Sequence, residues 1–210
     1  MFEKIKKWRN IYLILLLVGN AIGLFLAFYQ SENLLQEFSY YTVQSNLFVF
    51  GFFLYLLLKK RTTTRIQNIK GAITIAIMIT FIVYHLMLAP TLTEKPDFWM
   101  NFFVHTYTPL MVLLDYFLFD PKGELSYKFV PYWLVVPIYY LVYANMYALL
   151  GGLFIYDESV SRYPYYFINP DKIGWGGVLF YVLGISVFVI LLSYGFVFLD
   201  QQIVKEKTRA

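Results

Sequence analysis

Six separate runs of about 20 apolar residues, divided by short polar stretches, constrain this chain more than any other feature. They read as Ile11–Gln30, Phe38–Leu58, Gly71–Thr91, Phe98–Phe119, Val130–Leu153 and Trp175–Leu199. A helix of about 20 residues crosses the roughly 30 Å of hydrocarbon in a bilayer. Backbone polar groups in lipid must pair within the segment, so runs of this length are read as helices. A barrel would show alternating runs of about 10 residues, and none is present. The sequence therefore predicts an all-α integral membrane protein, a single six-helix bundle over residues 1–210. Composition agrees. The chain is 60% hydrophobic and 14% charged, against about 45–50% and 25% in soluble domains. It has no cysteine, which excludes disulfides, thiol catalysis and cysteine-ligated metal centres. The net charge of +4 is small. No nucleic-acid partner is expected, and no protein partner is inferable.

The distribution of that charge sets the orientation. Lys4, Lys6, Lys7 and Arg9 precede the first span. Lys59, Lys60, Arg61, Arg65 and Lys70 fall between the second and third, and Lys122 and Lys128 between the fourth and fifth. Lys205, Lys207 and Arg209 follow the sixth. These 14 basic residues share one side, against Lys95, Arg162 and Lys172 on the other, a split of 14 to 3. Basic residues concentrate on the cytoplasmic side, so both termini are expected there, in a multi-pass protein of the cell membrane. The first run, at 20 residues, exceeds the roughly 7–15 of a signal-peptide core and is read as a retained span. The longest outer connection, Phe154 to Gly174, carries Tyr156, Tyr163, Pro164, Tyr165, Tyr166, Phe167 and Pro170. Its composition fits a segment packed at the interface, either a lid or an aromatic anchor.

Polar groups inside hydrocarbon are costly, so their placement carries the functional signal. Ser39, Thr42, Ser45 and Asn46 fall on one face of the second span. Asn101, His105, Thr108 and Asp115 form a stripe on the fourth. Thr42 lies ~6 Å, His85 ~9 Å and His105 ~10 Å from the outer ends of their spans. These depths would let Thr42, Asn46, His85 and His105 converge in the outer third of the membrane. The fifth span adds Tyr132, Tyr140, Tyr143 and Tyr147. The sixth is nearly apolar all round, as a lipid-facing wall would be. Asp115 lies ~15 Å along the helix from His105, too far to orient it. A structural pairing with a Tyr or a basic residue is expected for it. Serine and threonine in such helices also bond the carbonyl one turn back or join helices together.

Three chemistries fit this constellation. In the first, His105 activates the Thr42 hydroxyl for attack on an ester, with Asn46 or His85 donating to the oxyanion. In the second, His85 and His105 ligate one b-type haem. The third is a transporter or receptor-like binding bundle, though paired halves and discontinuous helices are not seen, or a polar pocket that only binds lipid. The first and third need no metal or organic cofactor.

Several motifs carry a resemblance. Tyr40-Tyr41-Thr42-Val43-Gln44-Ser45-Asn46-Leu47, Val83-Tyr84-His85-Leu86-Met87-Leu88-Ala89-Pro90, His105 with Pro109, Leu114-Asp115-Tyr116 through Lys122-Gly123, and Tyr163-Pro164-Tyr165-Tyr166-Phe167 occur in this order. Together they resemble the bacterial six-helix membrane proteins of the Pr6Pr family. That family is similar to the animal androgen-induced-gene family, understood as threonine hydrolases of fatty acid esters of hydroxy fatty acids. The resemblance implies Thr42 as nucleophile and His105 as base. It also places His85 and the Tyr-Pro-Tyr segment at the pocket. The expected substrate-binding set is Ser45, Asn46, His85, Tyr84, Asn101, Thr108, Tyr143 and Tyr165, around a lipid substrate or fatty acid.

Overall fold

The computed structural model describes residues 2–59, 63–91, 97–156 and 159–209. Of the basic residues counted above, Lys60, Arg61 and Lys95 lie outside the described residues, as do the side chains of Lys4, Lys6, Lys7, Lys207 and Arg209. Among the described residues, six helices are long and apolar enough to cross a membrane. They are α1 (Phe2–Gln30), α2 (Tyr41–Lys59), α3 (Thr64–Thr91), α4 (Phe98–Phe119), α5 (Tyr127–Leu149) and α6 (Pro170–Arg209). A two-stranded antiparallel hairpin, β1 (Phe154–Tyr156) and β2 (Ser159–Ser161), sits between α5 and α6.

The boundaries depart from the expected ones for local reasons. Phe38 belongs to a separate short helix, Leu34–Phe38, capped by the Asn33 side chain. Ser39 ends that turn, so α2 begins only at Tyr41. Thr63 caps α3 seven residues before Gly71, which draws Lys70 out of the connecting loop and into the helix. Gly151, at φ 84°, lies just beyond α5 and ends it short of Leu153. Gly174, at φ 66°, breaks the start of α6.

Three prolines shape the inner geometry. Proline lacks an N–H and crowds the carbonyl four residues back. Pro90 stands four beyond Leu86, and Leu86 is the middle of a π-helical turn, Tyr84–Leu88. Pro109 stands four beyond His105, the middle of a second π turn, Phe103–Tyr107. Pro137 stands four beyond Trp133, where α5 breaks before resuming at Val135. Each proline therefore leaves a carbonyl without its helical partner, and the helix widens or interrupts to accommodate it.

Helices α1 to α4 pack as neighbours around Leu16, Val49, Phe53, Ile77 and Val112. The pair α5 and α6 lies against α3 and builds a second core from Tyr41, Trp133, Tyr140, Val189 and Phe196. In α1, Gly19 and Gly23 form a small-xxx-small pair, which lets backbones approach closely. A Cβ at Gly19 would stand 2.0 Å from Tyr107, and one at Gly23 would stand 2.8 Å from Phe103. The first helix thus presses directly onto the π turn that carries His105. Large apolar side chains cover the outside, with Phe180 75% and Leu86 72% exposed. Soluble monomers rarely show such continuous apolar surface. The outer face of α6 has the expected wall character, yet its Ser193 and Asp200 are fully buried. Asp200 accepts from Tyr116 Oη at 2.6 Å and from Leu125 N at 2.9 Å.

Candidate functional site

The two π turns lie side by side, and they build one wall of a cavity. Tyr84 stacks face-on against His105, with ring centroids 3.7 Å apart and planes at 12°. Thr42, in the first turn of α2, lines the same cavity as His105 and Tyr84. The middle of α5, Ile185 and Ser186 of α6, and Tyr165, Phe167 and Ile168 of the α5–α6 connection complete it. The space inside it is about 110 Å³. No Lys, Arg, Asp or Glu lines it among the described residues.

Asn46 ties the two candidate reactive residues to one frame. Its Nδ2 donates to the carbonyls of Thr42 (2.8 Å) and Val104 (3.1 Å), the residue before His105. Asn46 Oδ1 accepts from Asn20 Nδ2 at 2.8 Å, and the same Nδ2 reaches Thr108 Oγ1 at 3.3 Å. All three polar side chains are fully buried. His105 is 8% exposed, and its Nδ1 is buried with no hydrogen-bond partner among the described residues. The carbonyl of Thr80 lies beside the ring. The Tyr165 hydroxyl accepts from Tyr41 N at 3.1 Å and sits beside the Thr42 side chain.

The structure gathers Thr42, His105, Tyr84 and Tyr165, and it disperses the other expected site residues. Ser45 Oγ donates to the Thr42 carbonyl at 3.0 Å and pairs with Thr80 Oγ1 at 2.8 Å, joining α2 to α3; Thr80 lines the cavity and Ser45 does not. Asn46 spends both amide hydrogens on carbonyls, so no donor remains for an oxyanion. Exposed His85 bonds Thr106 Oγ1 at 3.1 Å through Nε2 and does not line the cavity. The two imidazoles therefore do not flank a common gap, and bis-histidine haem ligation does not fit them. Asn101 Nδ2 donates to Asp97 O at 2.9 Å in the first turn of α4. Thr108 serves the Asn20 bond. Tyr143 Oη bonds Ser39 Oγ at 2.8 Å. In the tyrosine stripe of α5, Tyr140 lines the cavity while Tyr132 is 67% exposed. Sequence reasoning missed Asn20 and Thr80. A lone Asn inside the apolar run of α1 was the available signal for the first.

The Asn46 bridge has a measurable consequence. Asn46→Leu takes the side-chain donor from the buried Val104 carbonyl and the Asn46 acceptor from the Asn20 amide, while the Thr42 carbonyl keeps Ser45 Oγ. Losses of this kind cost about 1–3 kcal/mol per stranded group. A clear fall in melting temperature in detergent is expected, and an unchanged one would show that the amide does not bridge the helices.

No family profile, curated protein or solved structure matches this chain. The chemistry of the cavity itself must therefore carry the functional reading.

Proposed function

We propose that the chain is a multi-pass membrane hydrolase of lipophilic carboxylic esters, with Thr42 as nucleophile and His105 as base. In this reading both termini face the cytoplasm, as the 14 to 3 split of basic residues favours. The cavity then faces the extracytoplasmic half. The observation that carries the proposal is that Thr42 and His105 line one cavity that carries no charged side chain, with His105 Nδ1 unpartnered among the described residues. The resemblance to the androgen-induced-gene family points to the same two residues.

The reaction follows from these groups. An ester enters with its acyl chain along Ile138, Leu141 and Ile185. Thr42 Oγ attacks the acyl carbon while His105 takes its proton. His105 returns that proton to the leaving alkoxide, which departs as the alcohol. Water then attacks the acyl-Thr42 ester, again giving its proton to His105. The acid leaves, and Thr42 recovers its hydrogen. The developing oxyanion needs a donor that remains within the cavity. In this reading Tyr165, whose hydroxyl sits beside Thr42 and accepts from Tyr41 N–H, is that donor. Tyr84, stacked on the imidazole, fixes the ring plane in place of an orienting carboxylate.

A fluorophosphonate or β-lactone probe on the purified protein tests the proposal. Labelling is expected on Thr42 and is expected to vanish in Thr42→Ala. Absent labelling in the wild type, or labelling unchanged in the variant, would leave the cavity as a non-catalytic lipid-binding site.

A further inference from the structure

A second concavity lies at the opposite end of the bundle, between α2, α3 and α5. Its volume is about 560 Å³, and it is walled by Leu47, Gly51, Ile69, Ile73, Val135 and Val136, with exposed Arg65 also on its lining. We propose that this groove holds one acyl chain of an anionic glycerophospholipid, with Arg65, Lys59 and Lys128 holding its phosphate. The inference rests on the membrane reading above and not on the hydrolase chemistry.

Three observations favour this occupant. The first is charge. On α2, Leu47, Phe48, Gly51 and Phe52 line the groove, and Lys59 ends that helix. On α3 the groove stripe begins at Arg65. On α5 it begins at Phe129, whose ring lies 5.3 Å from Lys128 Nζ. All three cations are exposed, and none forms an ion pair among the described residues. Basic pockets between helices on the cytoplasmic side recognise anionic headgroups. The second is length. From Arg65 to Ala76 the stripe descends ~16 Å at 1.5 Å per residue, about the depth of one leaflet in a core of ~30 Å. A single chain of a lipid in that leaflet fits this run. The third is space. A Cβ built on Gly51 meets nothing within 4 Å, so this glycine leaves room against the groove rather than serving a helix contact. The wall itself is apolar apart from Arg65, Asn68 and the rings of Tyr132 and Trp133. Asn68 is fully used, bonding Thr64 O, Glu124 O and Ser126 N. Arg65 is the charged group on this wall among the described residues.

The experiment is thermal unfolding in detergent with added phosphatidylglycerol, phosphatidylcholine of the same chains, or soluble glycerol phosphate. Phosphatidylglycerol is expected to raise the melting temperature well above the other two. In Arg65→Gln/Lys128→Gln its half-saturating amount is expected to rise roughly thirtyfold, since each surface cation contributes roughly a fivefold preference. Gly51→Leu fills the groove without a core clash and is expected to weaken both phospholipids while leaving ester turnover unchanged. Equal shifts from the two phospholipids would overturn the inference, as would a preference that survives the double variant. A shift from glycerol phosphate alone would move the site off the groove, and unaltered binding in Gly51→Leu would do the same. Solubility of the full chain without detergent would instead overturn the membrane reading.

Discussion

Thr42→Ala is expected to abolish turnover of a long-chain ester while leaving the fold in place. The Thr42 carbonyl, not its hydroxyl, accepts the bonds from Ser45 and Asn46. Alanine keeps that carbonyl, so the helix frame survives, and stability should change by less than about 1 kcal/mol. Without the hydroxyl no acyl-enzyme forms, and kcat should fall by about 10⁴-fold or more. His105→Ala should lower kcat by about 10²–10⁴-fold, the usual contribution of a positioned base. It also loses the Tyr84 stack, worth about 0.5–1.5 kcal/mol, so its melting temperature should fall slightly. Ser45→Ala is the control. It removes the hydroxyl one turn away that joins Thr80 but keeps the nucleophile, so turnover should persist. A fatty acid ester of a hydroxy fatty acid and its methyl ester make the informative substrate pair. No cationic side chain lines the cavity among the described residues, so the uncharged ester should be turned over at least as well. Full turnover in Thr42→Ala would end the assignment.

Depth follows from counting residues along a helix, and Thr42 and His105 line one cavity. Azimuth does not follow from that count, and His85 lies outside the cavity lining. Successive residues turn by about 100°, so when Tyr84 faces His105, His85 points elsewhere. The π turns compound this by adding a residue within the turn. Their cause was visible in Pro90 and Pro109, but the widened turn it produces was not. Asn46 shares a face with Thr42 as expected, yet that face meets α1 and α4, and Asn20 and Val104 claim the amide. The aromatic connection was legible as a packed segment. Which of its rings would close the cavity depended on the Tyr41 and Thr42 backbone, a contact 124 residues apart in sequence. Counting basic residues is likewise blind to burial, as Lys70 shows.

Lys70→Met is expected to be the most destabilising single substitution in the chain. Lys70, assigned from sequence to a basic loop, is 2% exposed inside α3. Its ammonium pairs with both Asp115 and Asp120. Arg9 bonds Asp120 at 2.7 Å and reaches Asp115 at 3.4 Å. Two cations thus balance two carboxylates whose side chains are wholly buried. This is the structural pairing expected for Asp115, and it locks α1, α3 and α4 at the end opposite the cavity. Methionine fills the same length but removes one charge, leaving two buried carboxylates to share Arg9. Breaking a buried pair in this way costs about 3–5 kcal/mol. In a chain of this size that corresponds to a fall of roughly 6–20 °C in melting temperature. The doubly changed Lys70→Met/Asp115→Leu restores neutrality, because Arg9 and Asp120 remain paired. Replacing a buried pair by apolar groups is often neutral, so the double variant should melt well above Lys70→Met alone. If instead the two losses simply add, the ion pairs do not act as one unit. Ester turnover per folded molecule should stay unchanged in the double variant, since no member of the network lines the Thr42–His105 cavity.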